Sequence, residues 1–487
     1  MIIVSLTGPT LADVRRQIRA SKPFADLFEF RLDLIKAEDV TRLLSLSAVP
    51  SIATCRPAWE GGAFRGREEE RLEILRSACA AGAAFIDLEF RAGAHALSSL
   101  RQAAGRARFI ISYHLPEGKI PRAARLYTML RSSGADVLKM AFVGHDAYHN
   151  AVAFDFLNLA RRDHQKAVAI VMGEEGEPSR ILYRKFGGWA TYAATEDGRS
   201  AAPGQIAASE LKQVYRADTI TPSTKVFGVV GRPLGQSKGV YVHNPLFRKM
   251  GKDAVYCKFV VADLGRFMKR LAPYLQGFSV TIPHKQQVMK YLGSIDALSR
   301  KIGAVNTVVR RNGRLTGTNT DAPGALDAIE ARMRVKGKTM LIVGAGGAAR
   351  AIAFEAKWRG AIVRVTNRTA GRSRRLAREL GAEYVSLGDA GASDILVNAT
   401  SVGMTPHTSV SPVPRRSIRA LLVFDAVYNP PVTKLLHDAK KRKARTVSGM
   451  EMYINQGARQ SRLWTGRQPD VALMRRILRA RLGGRRQ

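Results

Sequence analysis

Residues 68–89 read EEERLEILRSACAAGAAFIDLE. Glu68–Ala80 carries apolar residues at helical spacing, and Phe85–Glu89 is a short apolar run that takes in two carboxylates. A helix followed by a strand is one step of an α/β alternation. The same step repeats outward in both directions. Apolar runs stand at Ile2–Leu6, Leu27–Phe30, Ser51–Thr54, Phe85–Glu89, Phe109–Tyr113, Val137–Ala141, Ala167–Met172 and Trp189–Tyr192. Eight strands alternating with helices predict a (β/α)8 barrel over residues 1–218.

The alternation breaks in YRADTITPSTK, Tyr215–Lys225, whose threonines and proline predict a linker. A second α/β unit is expected over residues 225–330, with strands at Val226–Val230, Val255–Val260, Gly277–Ile282 and Ala304–Val309. A third, over residues 336–448, opens on the strand Thr339–Val343. The tail, residues 449–484, has helical spacing and is expected to pack back on the second unit.

Charge divides the chain in the same place. Of 78 basic and 40 acidic side chains, residues 1–218 hold 30 and 25, whereas residues 219–487 hold 48 and 15. Such an excess suggests anionic ligands or nucleic acid. Nucleic-acid binding would need basic residues interleaved with stacking aromatics. Aromatics are only 7% of the chain, and the densest basic run, KKRKAR at Lys440–Arg445, lies between a helix and a strand of the third unit. No nucleic-acid partner is expected. No stretch is long and apolar enough for a membrane span, and the N-terminal MIIVSLTGPT lacks the basic start of a signal peptide. Cys55, Cys79 and Cys257 are odd in number and far apart, so neither a disulfide framework nor a metal site is expected. A reducing cytoplasm is the expected location.

Barrel catalysis takes place at the C-terminal strand ends, so polar residues there carry the chemistry. Glu29, Arg31, Arg56, Asp87, Glu89 and His114 end or follow strands. Lys139 interrupts the apolar DVLKMAF. Burial disfavours a charged lysine, and a neutral amine attacks carbonyls; the alternative is a lysine paired with a barrel carboxylate. His114 suits two-way proton transfer, and Glu89 is placed to orient it. Arg180 and Gln205 lie in late loops, where a guanidinium fork fits a carboxylate.

In the second half, LIVGAGGAARA (Leu341–Ala351) follows a strand and opens a helix. Gly344, Gly346 and Ala349 fit the dinucleotide fingerprint, with Ala345, Gly347 and Ala348 between them. The strand Ile362–Thr366 ends in Asn367, Arg368 and Thr369. An arginine there, where an NAD site places a carboxylate, favours the 2′-phosphate of NADP. Lys285 in GFSVTIPHK and Asp321 in GTNTDAPG are candidates for an ionic pair beside a hydroxyl or ketone, with a plain salt bridge as the alternative.

These motifs carry two resemblances. FEFRLD, ATCRPAWEGG, IDLEF, ISYH, DVLKMA, MGEEGEPSRI and AAPGQI come in the order of type I 3-dehydroquinate dehydratase. That resemblance implies a Schiff base between Lys139 and the ketone of 3-dehydroquinate. It also implies proton transfer by His114, positioned by Glu89, and substrate binding by Glu29, Arg31, Arg56, Arg180 and Gln205. Ala201 stands where the family has a serine.

GRPLGQSKGVYVHN, GFSVTIPHK, GAVNTV, GTNTD, GAGGAARA, NRT, NATSVGM, DAVYNPPVT and SGMEMYINQG resemble shikimate dehydrogenase. Here the resemblance implies Lys285 and Asp321 as the catalytic pair. Ser237, Thr281, Asn306, Tyr428 and Gln456 would bind substrate; the glycine loop, Asn367–Thr369, Thr400 and Gly449 would hold NADP. Gln236 replaces a family histidine, and Gly239-Val240 replaces Ser-Pro. Glycine at that serine also occurs in quinate-preferring relatives, whereas Thr281 is of the shikimate type. The joint expectation is a bifunctional enzyme that dehydrates 3-dehydroquinate and reduces the 3-dehydroshikimate formed to shikimate. A quinate-preferring or weakly active second half is the alternative.

Overall fold

The computed structural model describes residues 1–36, 39–115, 118–387 and 393–483; position 484 of the expected tail lies outside them. The chain forms two compact units, Met1–Leu234 with Asp253–Leu275, and Gly235–Lys252 with Gln276–Gln487.

The first unit holds eight parallel strands: β1 (Ile2–Leu6), β2 (Leu27–Arg31), β3 (Ser51–Thr54), β4 (Phe85–Glu89), β5 (Arg108–His114), β6 (Val137–Val143), β7 (Lys166–Met172) and β8 (Thr191–Ala193). They pair in sequence from β1 to β7, and β8 returns beside β1. The β7–β8 seam is bridged where the Trp189 N–H donates to the Ala167 carbonyl at 2.8 Å. This is the expected (β/α)8 barrel, nearly closed.

Side chains alternate between the two faces of a strand. Ile3, Leu27, Ile52, Phe85, Ile110, Val137 and Val168 are buried together in one apolar cluster. Two residues further along six of the same strands stand Ser5, Glu29, Thr54, Asp87, Ser112 and Lys139, all buried. The strands thus begin on an apolar floor, and polar groups lie above it towards their C-terminal ends.

The expected linker is part of this unit. Lys185 Nζ donates to the carbonyls of Pro222 at 2.7 Å and Thr224 at 2.9 Å. Beyond it, β9 (Lys225–Gly231) and β10 (Ala254–Val260) run parallel.

In the second unit, β11 (Leu275–Val280) pairs antiparallel with β13 (Thr307–Arg311), which pairs antiparallel with β14 (Arg314–Thr318); β12 (Ser294–Ile295) runs parallel to β14. Six parallel strands follow: β15 (Thr339–Val343), β16 (Ile362–Thr366), β17 (Glu383–Tyr384), β18 (Ile395–Asn398), β19 (Leu422–Asp425) and β20 (Arg445–Ser448). Their order, β17-β16-β15-β18-β19-β20, is the doubly wound dinucleotide-binding order, and the chain reverses direction beside β15. Helix Gly449–Thr465 lies on helix Asp321–Glu330, and helix Val471–Gly483 on helix Gly239–Lys249. Val242, Leu246, Met450, Ile454, Met474 and Leu478 fill the apolar cluster that the tail forms with helix Gly239–Lys249. No helix among the described residues is long and apolar enough to cross a membrane. The three cysteines are free and buried.

Candidate active sites

A cavity of about 370 Å³ opens on the polar groups of the barrel. Glu29, Arg31, Arg56, His114, Lys139, Arg180 and Gln205 all line it, together with Glu60, Tyr192 and Ala201. Lys139 Nζ donates to Asp87 at 2.7 Å, sits 3.7 Å from Glu29 and lies 4.0 Å from the Tyr192 ring centre. The lysine is therefore both paired with a carboxylate and open to the cavity. Ser112 donates to Asp87 at 2.6 Å, and Ser5 and Thr54 donate to Glu29 at 2.6 and 3.0 Å. Each carboxylate is thus fixed before any ligand arrives. Burial alone would raise the Asp87 carboxyl, but Arg56 and Lys139 hold it well below the usual range.

Glu89 does not line the cavity. It is buried behind it, accepting from Arg56 at 2.8 Å and Arg71 at 2.6 Å. The carboxyl that meets the imidazole belongs to Glu60, whose Oε2 is 3.2 Å from His114 Nδ1; Arg56 Nη1 is 3.0 Å from the same nitrogen. Glu89 thus reaches His114 only through Arg56. The sequence reading misses Glu60, although ATCRPAWEGG holds the signal. After Arg56 the chain makes a single turn, Ala58–Glu60, and leaves it through Gly61 at φ 80°. A Cβ on Gly62 would collide with the Arg56 carbonyl. The paired glycines therefore let the chain fold back and put Glu60 beside Arg56.

Burial lowers the His114 pKa well below its ordinary value, and Arg56 and Lys139 add to this. Burial pushes the Glu60 carboxyl up to about 8. Arg180 is the opposite case to Asp87. Among the described residues no carboxylate pairs with it: it donates to the carbonyls of Tyr192 and Pro203, both at 3.2 Å, and its Nε has no partner. Burial brings its pKa down to about 10. Arg31, by contrast, is held bidentate by Asp33 at 2.8 and 2.7 Å. Gln205 Oε1 accepts the Ala201 N–H at 2.8 Å. A buried guanidinium without a counter-ion is a waiting anion site.

In the second unit Lys285 Nζ donates to Asp321 at 2.6 Å, and the pair is partly exposed. Lys285 follows β11 and is tied by its carbonyl to the Val305 N–H at 2.8 Å. Asp321 opens helix Asp321–Glu330. Asn306 Oδ1 accepts the Thr320 N–H at 2.8 Å, which fixes the start of that helix. Gln456 lies against the same helix, close enough that only a glycine fits at Gly324. The Tyr428 ring is 5.1 Å from that of Tyr453, and Tyr453 O accepts from Gln456 Nε2 at 3.0 Å. Ser237 and Thr281 are half-buried. Gln236, in place of the family histidine, accepts from Asn429 at 3.4 Å, and Gly239 is buried at the start of its helix.

The glycine loop meets the test for a dinucleotide pyrophosphate. Gly344 has φ 125° and faces the Ala399 carbonyl, which a Cβ would approach to 3.1 Å. Gly346 and Gly347 have open space where a Cβ would stand, and among the described residues no side chain caps helix Gly347–Trp358. The free N–H groups at that helix start are left for an anion. Arg368 and Thr369 are exposed past β16, with Asn367 half-buried beside them. Across the loop, Thr400 bonds its own Asn398 at 2.7 Å, and a Cβ on Gly449 would collide with the Ala426 carbonyl.

Four family profiles match the chain in series. They are type I 3-dehydroquinase over residues 2–222, the shikimate dehydrogenase substrate binding domain over 229–308, shikimate / quinate 5-dehydrogenase over 327–451, and the shikimate 5′-dehydrogenase C-terminal domain over 449–479. The chloroplastic bifunctional 3-dehydroquinate dehydratase/shikimate dehydrogenase of Arabidopsis thaliana is 35% identical over 496 residues, covering 95% of this chain and 82% of its own length. The shikimate dehydrogenase (NADP(+)) of Pyrococcus abyssi is 43% identical over 265 residues, 53% of this chain and 99% of its own. The crystal structure of shikimate 5-dehydrogenase from Thermus thermophilus in complex with NADP(H) and shikimate superposes with a TM-score of 0.50 at 36% identity, covering 52% of this chain and 98% of that one. With lysine–carboxylate pairs in the barrel and just ahead of the dinucleotide fold, and with a relative that spans all of it, the chain belongs to the family of bifunctional 3-dehydroquinate dehydratase/shikimate dehydrogenases.

Proposed function

We propose that residues 1–218 dehydrate 3-dehydroquinate to 3-dehydroshikimate. Residues 225–330 and 336–448, with the 449–484 tail, then reduce it to shikimate. The observation that carries this is one cavity holding Lys139, His114 and the counter-ion-free Arg180. Arg180 takes the substrate carboxylate. Lys139 Nζ adds to the ketone, water leaves, and an iminium forms. His114 removes the neighbouring C2 proton, and the electron pair moves into the iminium. The C1 hydroxyl departs as water with the proton from His114, and hydrolysis frees the lysine. Glu60 orients the imidazole, and Glu89 acts behind Arg56.

Lys285 gives a proton to the ketone oxygen in the second step, held in place by Asp321. NADPH supplies the hydride when bound. The glycine loop takes its pyrophosphate, and Arg368 its 2′-phosphate. Ser237, Thr281, Asn306, Tyr428 and Gln456 would bind the substrate, and Thr400 and Gly449 would help to hold the cofactor. Gly239, which offers no hydroxyl to the substrate, favours quinate as a second reading. Three unpaired thiols suit a reducing cytoplasm.

The test is a single mixture. Purified chain given 3-dehydroquinate and NADPH should consume NADPH after a lag that shortens when 3-dehydroshikimate is supplied instead. NADH should serve poorly, and Arg368→Ala should narrow the preference about tenfold. No NADPH loss with either substrate would overturn the dehydrogenase half. A higher kcat/KM for quinate than for shikimate in the reverse direction would install the second reading.

The dehydratase pH profile has a fixed sign. Neutral His114 is the base, and its pKa lies below 6.5. The acid limb of kcat/KM should therefore fall below pH 6.5, with activity lost as pH drops through it. A limb above pH 6.5 assigned to His114 would contradict its burial.

A further inference from the structure

One buried carboxylate has no part in the reactions above. Glu177 opens the short helix Glu177–Ile181, and its Oε1 accepts from Tyr215 Oη at 2.7 Å. Its Oε2 lies 3.4 Å from Lys258 Nζ. Tyr215 stands where the alternation of the barrel breaks. Lys258 is on β10, inside the span that matches the shikimate dehydrogenase substrate binding domain. A residue of the dehydrogenase sequence thus neutralises a carboxylate of the barrel, within one compact unit.

The strand that brings Lys258 is itself held. Just past β10, Asp146 of the barrel accepts the backbone N–H groups of Ala262 at 3.0 Å and Asp263 at 2.7 Å. Further on, Arg266 donates to Tyr148 at 2.6 Å and Arg270 to Asp155 at 2.7 Å. Lys258 therefore reaches Glu177 from a fixed support.

Three residues after Glu177 comes Arg180. No carboxylate among the described residues fixes its guanidinium, so the backbone that carries it must do so. A helix of five residues does not hold itself. Its anchors are Ser179, whose Oγ accepts the Val171 N–H at 3.0 Å and whose N–H donates to Asn150 at 2.9 Å, and Glu177. The first anchor lies wholly inside the barrel. The second reaches outside it, to Tyr215 and Lys258.

We propose that Glu177, gripped by Lys258 and Tyr215, is a positioning residue for Arg180, through which the dehydrogenase segment sets how firmly the dehydratase holds its substrate carboxylate. This rests on the reading of Arg180 given above. Glu177 also faces the like charge of Glu210, and burial raises its carboxyl. Without Lys258 the carboxylate is drawn towards water, and the start of the helix moves with it. A shift of this kind in a substrate clamp weakens binding before it touches the chemistry.

The experiment uses the full chain. Lys258→Met should raise the dehydratase KM for 3-dehydroquinate about five- to twentyfold with kcat within about twofold. Lys258→Arg should restore KM, and reduction of 3-dehydroshikimate by the same samples should be unchanged. If Lys258→Met fails to fold, Tyr215→Phe is read instead and should shift KM the same way by a smaller factor. An unchanged KM, or a kcat loss without a KM change, overturns the proposal. So does failure of Lys258→Arg to restore KM. Arg180→Lys runs alongside. If it leaves KM unchanged, the reading of Arg180 falls and takes the proposal with it. If it raises KM while Lys258→Met does not, only the proposal falls.

Discussion

Lys139→Met should abolish dehydration, by about 10⁵-fold in kcat, and should leave reduction of 3-dehydroshikimate by the same protein intact. Methionine keeps the length and apolar stem of lysine but has no amine, so no covalent intermediate forms. Nothing else among the residues lining the cavity replaces it: the other cations there are the guanidiniums of Arg31, Arg56 and Arg180, and a guanidinium is not a nucleophile at neutral pH. Borohydride added with 3-dehydroquinate should attach the reduced ligand to the peptide containing Lys139 in the wild-type chain and to no peptide in the variant. An adduct elsewhere would remove the Schiff-base reading. The substitution also leaves Glu29 and Asp87 buried without the ammonium. Loss of one partner from a buried ion pair costs roughly 3–5 kcal/mol, lessened here because Arg56 remains 3.1 Å from Asp87. A melting curve separates the two effects: Lys139→Arg keeps the charge and most of the stability, yet should be as inactive as Lys139→Met.

Lys285→Met should lower the dehydrogenase kcat about 10²- to 10⁴-fold, with dehydration untouched. Lys285 is the proposed proton donor, and its Nζ donates to Asp321 at 2.6 Å. The pair is partly exposed, so little stability is at stake and the loss should read as chemistry. Asp321→Asn keeps the shape and removes the charge that holds the ammonium. It should fall in the same direction by a smaller factor. Steady-state rates with 3-dehydroshikimate and NADPH measure both. If both variants keep wild-type kcat, the pair is only a salt bridge.

Much of this architecture is legible in the sequence, and for one reason. Every barrel strand is buried on both faces or nearly so, which writes it as an apolar run that turns can punctuate. Ser51–Thr54, Phe85–Glu89, Thr339–Val343 and Ile362–Thr366 are found where the periodicity places them. β14 escapes that reading because Arg314–Thr318 is half-exposed and polar. Its signal lies in the turn instead: Asn312 and Gly313 both have positive φ, as a tight hairpin requires. β12 is two residues long and leaves no pattern to read.

The site shows the same division. Strand-borne groups such as Glu29, His114 and Lys139 are legible because alternation tells which way each points. Glu60 is not, because it lies on a loop, where alternation says nothing, and its place comes from the return of the chain at Gly61-Gly62. Glu89 ends the neighbouring strand, which alone suggests contact with the imidazole. Two arginines, Arg56 and Arg71, hold it instead, and Arg71 lies on a helix whose pattern gives no hint of an inward guanidinium.

The pairing of Lys139 with Asp87 at 2.7 Å reaches beyond the resting enzyme. The iminium of the proposed covalent intermediate would carry its positive charge on that same nitrogen, so the carboxylate that accepts from the lysine would become the counter-ion of the covalent state. Removal of the C2 proton would then carry the charge from the nitrogen to His114, and departure of the C1 hydroxyl would return it. Asp87 and Glu29 stand at the lysine end of that route and Glu60 at the imidazole end. The barrel thus holds an anion at each place the charge would visit, set before it moves.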